Sequence, residues 1–300
     1  NPKDQITLVV DVGTNAEILL AGHGRLLAAS SPTGPAFEGA QITAGQRATP
    51  GAIERVRINP ETGEPRIRVL GVDPWSNEPG FAEAVAATGV TGICGSGIIE
   101  VVAELFLAGL MNSDGVIGGA GTRPSSRIEP DGRTMRYVLH DPQDGTPPLV
   151  ITQNDIRAIQ LAKSALYAGI RLLMDHLEVD HLDHIQLAGA FGSHIDTLRA
   201  TVLGLIPDCL PDQVRAVGNA AGAGAVIALL SGAARQDIQH IVTEIEKVET
   251  ATEPAFQAHF IDAMAIPHRT AHYPGLSTRM TLPEPPITET TPGRRRRRTR

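Results

Sequence analysis

Residues 6–20 read ITLVVDVGTNAEILL, and this stretch decides the fold. Ile6 to Val10 is a short apolar run that ends on Asp11. Val12-Gly13-Thr14-Asn15 follows, and Ala16 to Leu20 resumes the apolar pattern. The pattern predicts strand, tight turn, strand. Arg25 to Ala29, after Gly22 and Gly24, supplies a third strand and completes an antiparallel meander. Gly13 lets the backbone approach a ligand, and successive N–H groups in such a turn can cradle phosphate oxygens. Thr14 and Asn15 add side-chain donors. Asp11, at the strand end, is placed to hold a hydrated Mg²⁺, which takes one or two carboxylates plus phosphate oxygens. By itself the same stretch also reads as an ordinary hairpin.

Working outward, Ile53–Ile58 and Arg66–Leu70 alternate charged and apolar side chains, as a sheet with one wet face does. Gly95-Ser96-Gly97 opens a helix whose apolar positions are Ile98, Val101, Val102, Leu105 and Leu110. Glycines around a serine at a helix start suit an anion or a ribose, or a plain N-cap. Residues 115–148 read as loop with a short strand at Tyr137–Leu139. Thr152 and Asp155 form a capping-box-like start for a long helix with Ile156, Ile159, Leu166, Ile170, Leu173 and Leu177 on one face. His184–Leu187 is a strand running into Ala188-Gly189-Ala190-Phe191-Gly192. Arg215–Val217 is another, running into Gly218-Asn219-Ala220-Ala221-Gly222 and an apolar helix to Leu230. Helices are also expected near Ile238–Val248 and Pro254–Met264.

The chain has 300 residues, about two domains' worth. Its apolar share of 42% is enough for a core, and no apolar run reaches the ~20 residues of a membrane-spanning helix. The net charge is −7, but residues 271–300 carry seven arginines against two glutamates, a net of +5, which leaves −12 on the rest. An acidic body is a poor nucleic-acid binder, so no nucleic acid or membrane partner is expected. Two cysteines, Cys94 and Cys209, cannot supply a disulfide framework or a four-thiolate cluster, and a cytoplasmic setting follows. The histidines lack metal-binding spacing. There is no GxxxxGK[ST], GxSxG or GxGxxG motif. Beyond Pro267, proline, threonine and arginine replace periodicity, so 1–268 is read as the folded part and 269–300 as a disordered tail.

The order of these pieces resembles the nucleotide site of the superfamily that unites actin, sugar kinases, acetate kinase and heat-shock chaperones (ASKHA). Within it, the chain is similar to the reductive activators of corrinoid proteins. DVGTNAEI (11–18), GPAFEGA (34–40), Gly51-Ala52-Ile53-Glu54, GVTGICGSGIIE (89–100), Thr152–Leu173, LAGAFG (187–192) and GNAAGAGA (218–225) carry the resemblance over about residues 5–268.

The resemblance implies an α/β fold, a ribonuclease-H-like lobe with a mixed sheet and flanking helices. It implies ATP and Mg²⁺ as cofactors and a corrinoid protein or corrinoid methyltransferase component as partner, with homodimerisation as a further expectation. The activity implied is ATP-dependent reduction of that partner's cob(II)alamin. The family's ferredoxin-like [2Fe-2S] domain and first phosphate turn have no counterpart here. The chain is therefore expected to be a fragment or separate half, neither carrying electrons nor binding ATP normally alone.

By the same resemblance Asp11, Gly13, Thr14 and Asn15 face the phosphates and Mg²⁺, with Asp11 as the catalytic and metal-holding residue. Gly95, Ser96 and Gly97 line the ribose or phosphate side. Gly189, Ala190, Phe191 and Gly192 form the adenosine turn. Gln160 and Lys163 edge the adenine pocket, and Asn219 caps the junction of the lobes. The alternatives are a non-catalytic docking or dimerisation half, and an activator ATPase or small-molecule kinase of the same superfamily.

Overall fold

A computed structural model describes residues 5–142, 144–189 and 195–283. The meander forms as expected: β1 (Thr7–Val12), β2 (Ala16–Gly22) and β3 (Arg25–Ser31) are antiparallel neighbours. Each buries alternate residues. Leu8, Val10, Val12, Ile18, Leu20 and Leu27 point into the core. Two later strands, β10 (His184–Gly189) and β11 (Val214–Gly218), add in parallel beside β1. β12 (Glu246–Lys247) adds in parallel beside β3, giving the order β11-β10-β1-β2-β3-β12. This is the mixed sheet of a ribonuclease-H-like lobe.

The long helix α3 (Gln153–Leu177) packs on β2 and β3. Its capping box is in place: the Thr152 hydroxyl accepts from Asp155 N, and Thr152 N donates to the Asp155 carboxylate at 2.8 Å. Asp155 Oδ1 also accepts from Thr43 N and Oγ1, which fixes the incoming loop. Ile156, Ile159, Leu166, Ile170, Leu173 and Leu177 are all buried. Burying each contributes about 1.5–3 kcal/mol, so packing, not propensity, secures this helix.

A smaller sheet orders β5 (Pro65–Val69), β4 (Ala52–Ile58) and β6 (Gly92–Ile93), with α1 (Phe81–Val85) between β5 and β6 in the chain. The helix α2 (Gly95–Leu107) lies on β4 and against α4 (Thr197–Leu203). Two carboxylates on α2 are buried at this junction. Glu100 accepts from Val56 N at 2.8 Å and pairs with Arg55 at 2.7 Å and with Arg57. Glu104 accepts from Ile58 N at 2.9 Å and pairs with Arg199 at 2.9 Å. Arg57 also reaches Asp196, the N-cap of α4, at 2.8 Å. Burial pushes the Glu100 carboxyl up, and the arginines oppose it.

Two readings of the sequence are corrected. Residues 115–148 are mostly loop as expected, but they hold more strand than Tyr137–Leu139: β7 (Ile128–Asp131) and β8 (Thr134–His140) join β9 (Leu149–Thr152) in a third, antiparallel sheet. The folded part also does not end at 268. Past α7 (Phe256–Asp262), which packs on α3, residues 269–283 continue into a short helix, α8 (Pro274–Ser277). Tyr273 and Leu276 are buried there, and Asp208 accepts from Gly275 N and Leu276 N. Residues 284–300 lie outside the described set. No described helix is long and apolar enough to cross a membrane.

The pair α5 (Ala220–Leu230) and α6 (Gly232–Glu244) runs from β11 at one edge of the large sheet to β12 at the other. α5 is apolar around its whole circumference, and none of its residues is buried. Such a helix ordinarily lies inside a protein.

Candidate functional site

Three parallel strands, β1, β10 and β11, end at one edge of the large sheet. Asp11 pairs with Ala188, Val12 with Gly189, and Ala188 with Gly218. The turn after β1, Gly189 at the end of β10 and the N-terminus of α5 therefore meet outside the carboxyl ends of these strands. Ligands of open α/β sheets bind at such ends. Asn219 caps α5 there, its Oδ1 accepting from Gly222 N at 2.7 Å.

At this edge Asp11 is half-buried, while Thr14 and Asn15 are exposed at the turn tip. Gly13 N donates to Asn15 O at 3.0 Å, which tightens the turn. Gly189 has a φ of +103°, and a Cβ built on it would sit 2.6 Å from Asp11 Oδ1. Only glycine leaves that space to the carboxylate. Directly across the strand pair from Asp11 stands Glu17, exposed. Like charges at paired positions repel, and a cation between or beside them relieves this. The donor set suits a hard cation with oxygen ligands. Among the described residues no group of three or more His, Cys, Asp or Glu could hold a metal by itself, so phosphate or water oxygens would complete the shell.

The turn is latched from behind by residues 33–38. Thr33 Oγ1 donates to Gly13 O at 2.8 Å and to Thr14 O at 3.0 Å, and Gly34 N donates to Thr14 O at 2.9 Å. Glu38 closes a 3-10 turn (Pro35–Glu38) and accepts from Thr14 Oγ1 at 2.5 Å. The sequence reading gave Glu38 no role. Its signal was the string GPAFEGA, whose small residues and lone acid have no periodic use.

Other expected residues lie elsewhere. Gly95, Ser96 and Gly97 are buried rather than open to a ribose. Ser96 Oγ donates to Glu54 O at 3.1 Å, and a Cβ on Gly97 would meet Ile53 O at 2.5 Å. Their small size seats α2 on β4. Gln160 and Lys163 do not edge an open pocket either. Gln160 Nε2 donates to Asp114 O at 3.0 Å and Met264 O at 2.7 Å. Lys163, with no exposed surface, donates to Ala263 O, to Ala265 O at 2.6 Å and to Pro267 O at 2.9 Å. Burial pushes its ammonium down to about 7, while the three carbonyl oxygens favour the charged form. Both residues tie the segment after α7 to α3. Ala190, Phe191 and Gly192 lie outside the described residues. Cys94 and Cys209 are free and buried, and burial raises the Cys209 thiol to about 11.

The fold agrees with what the chain is similar to. The family described as the C-terminal domain of RACo, the ASKHA domain, matches residues 5–277. The chain is 36% identical over 265 residues to the corrinoid activation enzyme RamQ of Eubacterium limosum, covering 85% of this chain and 42% of that protein. It is 28% identical over 269 residues to a [Co(II) methylated amine-specific corrinoid protein] reductase of Methanosarcina barkeri, covering 85% of this chain and 45% of that protein. A solved reductive activator for corrinoid, iron–sulfur protein superposes with a TM-score of 0.75 at 32% identity, over 89% of this chain and 40% of that one. The chain thus spans less than half the length of these relatives.

Proposed function

The chain belongs to the family of the C-terminal ASKHA domain of RACo, and on that premise we propose that it is the nucleotide-handling part of a cytoplasmic reductive activase for a corrinoid protein. In this reading one electron passes from a reduced iron–sulfur centre, borne outside residues 1–300, to the partner's Co(II), giving Co(I). ATP binding and hydrolysis drive that transfer. Cys94 and Cys209, both buried, are two thiols where a cluster takes four.

The observation that supports this reading is the convergence of Asp11, Gly189 and Gly218 at the carboxyl ends of three adjacent strands, with Gly189 reserving space for the Asp11 carboxylate. Asp11 would hold the cation, and the Gly13-Thr14-Asn15 turn would receive the phosphates. When bound, Mg·ATP supplies the charge and the binding energy that favour closure of the site. The chain's own residues position and neutralise, and no covalent enzyme intermediate is needed.

The test is an amide chemical-shift titration of the chain with Mg·ATP up to millimolar concentration, a range that also registers the weak binding of a single lobe. Shifts are expected at residues 13–15, 189 and 219–222. Asp11→Asn is expected to weaken them about tenfold, in line with loss of one electrostatic partner. An absence of shifts at these positions overturns the reading. The unburied apolar surface of α5 supports a second element of it, a docking or homodimer contact through this helix.

A further inference from the structure

Among the described residues, the Thr14 hydroxyl is the one side-chain group of the turn that already has a partner. It donates to Glu38 Oε1 at 2.5 Å. A hydroxyl has one proton and two lone pairs, and a carboxylate oxygen can only accept. Once the proton is committed to Glu38, the oxygen has nothing left to donate to a phosphate. Its lone pairs are what remain, and these suit a cation.

Glu38 is held to this task although it is exposed. It ends a 3-10 turn whose Ala36 and Phe37 are buried. The next residue, Gly39, has a φ of +85°, and a Cβ there would lie 2.9 Å from Gln46 N. Residues 33 and 34 grip the carbonyls of Gly13 and Thr14 at the same time. The segment thus fixes both the backbone and the side chain of the turn.

We propose that Glu38 is a positioning residue which, through Thr14, presents a hydroxyl oxygen to the cation of the nucleotide site rather than a proton to the phosphates. The inference rests on the nucleotide reading above. It divides the turn: Asp11 and Thr14 serve the cation, while Asn15 and the turn amides serve the phosphates.

The experiment compares the full 300-residue chain with Glu38→Ala, Glu38→Gln, Thr14→Ala and the Glu38→Ala/Thr14→Ala double variant. Each is titrated by amide shifts with Mg·ATP and with ATP in excess EDTA. Glu38→Ala is expected to weaken Mg·ATP about tenfold and metal-free ATP less than about twofold, the effect of one charge-assisted hydrogen bond. Glu38→Gln keeps an acceptor for Thr14 and is expected to stay within about threefold of the parent. The double variant is expected to be no weaker than Thr14→Ala alone, because both act on one interaction. Ligand-free melting midpoints stay level across the set. Equal weakening with and without magnesium overturns the proposal, and so does Glu38→Gln failing as badly as Glu38→Ala. If the parent chain gives no shifts with either ligand, the nucleotide reading itself falls. If it does and Glu38→Ala matches it, only the role of Glu38 falls.

Discussion

Gly189 stands so close to Asp11 that a Cβ on it would lie 2.6 Å from Asp11 Oδ1 and as close to Val12 O. The glycine on one strand therefore sets where the carboxylate of the next strand can be. Gly189→Ala combines this overlap with a side chain at φ +103°, a conformation that costs about 1–3 kcal/mol. The expected result is a melting midpoint lower by several degrees and a displaced Asp11, read as altered amide shifts at residues 11–13. An unchanged midpoint would mean that the strand ends relax freely.

Lys163 is expected to matter for stability and not for nucleotide. Lys163→Met keeps the volume but strips the carbonyls of Ala263, Ala265 and Pro267 of their shared donor. Leaving buried acceptors unpaired costs about 1–3 kcal/mol. Calorimetry should show a lower midpoint, and the Mg·ATP titration should match the parent. A stable variant with weakened nucleotide binding would return Lys163 to the edge of the adenine pocket.

His268 gives the fold a pH dependence of known sign. Burial, and then the neighbouring Lys163, lower it to about 4. Its Nδ1 accepts from Thr270 N at 3.2 Å and Ala271 N at 2.9 Å, and its ring lies 4.6 Å from that of Tyr167. Between pH 6.5 and about 4 the unfolded chain binds a proton here that the folded chain refuses. Stability from this residue is therefore complete above pH 6.5 and is lost as pH falls toward 4. Denaturant unfolding across this range should show a steeper decline for the parent than for His268→Asn, which has no proton to take up. Parallel curves would place the imidazole in water.

Leu229 and Leu230 are 77% and 80% exposed on α5. Replacing both with glutamine removes no buried contact, so the midpoint should hold within about 0.5 kcal/mol of equivalent stability. Self-association, measured by light scattering across a concentration series, should fall. A marked loss of stability would show that these leucines are packed.

Much of the fold was legible because it repeats a simple period. β1 to β3 alternate buried and open residues, and α3 carries both a capping box and a helical stripe. What escaped had no period to read. β7, with the sequence IEPD, buries none of its residues fully, and the packing of residues 273–276 rests on one tyrosine and one leucine flanking Pro-Gly. The site divides the same way. The Asp11–Asn15 turn announces itself locally. Lys163 and Gln160 owe their positions to carbonyls about a hundred residues further along, and no spacing on α3 foretells them. Gly95 to Gly97 signal clearance at a helix start, but whether a ligand or a strand occupies it depends on β4.

The path of the chain through the large sheet also bears on its assembly. β1, β2 and β3 are joined by short turns and can pair as soon as they are made. β10 must be brought to β1 across a long separation, as the bond between Ile6 and Asp183, 177 residues apart, illustrates. Closing such a loop costs entropy before any contact repays it. Because α5 and α6 link β11 to β12, the two outer strands cannot be placed independently. The two margins of the sheet are therefore tied by one connection, and the carboxyl edge that holds Asp11 is complete only with β11 in place.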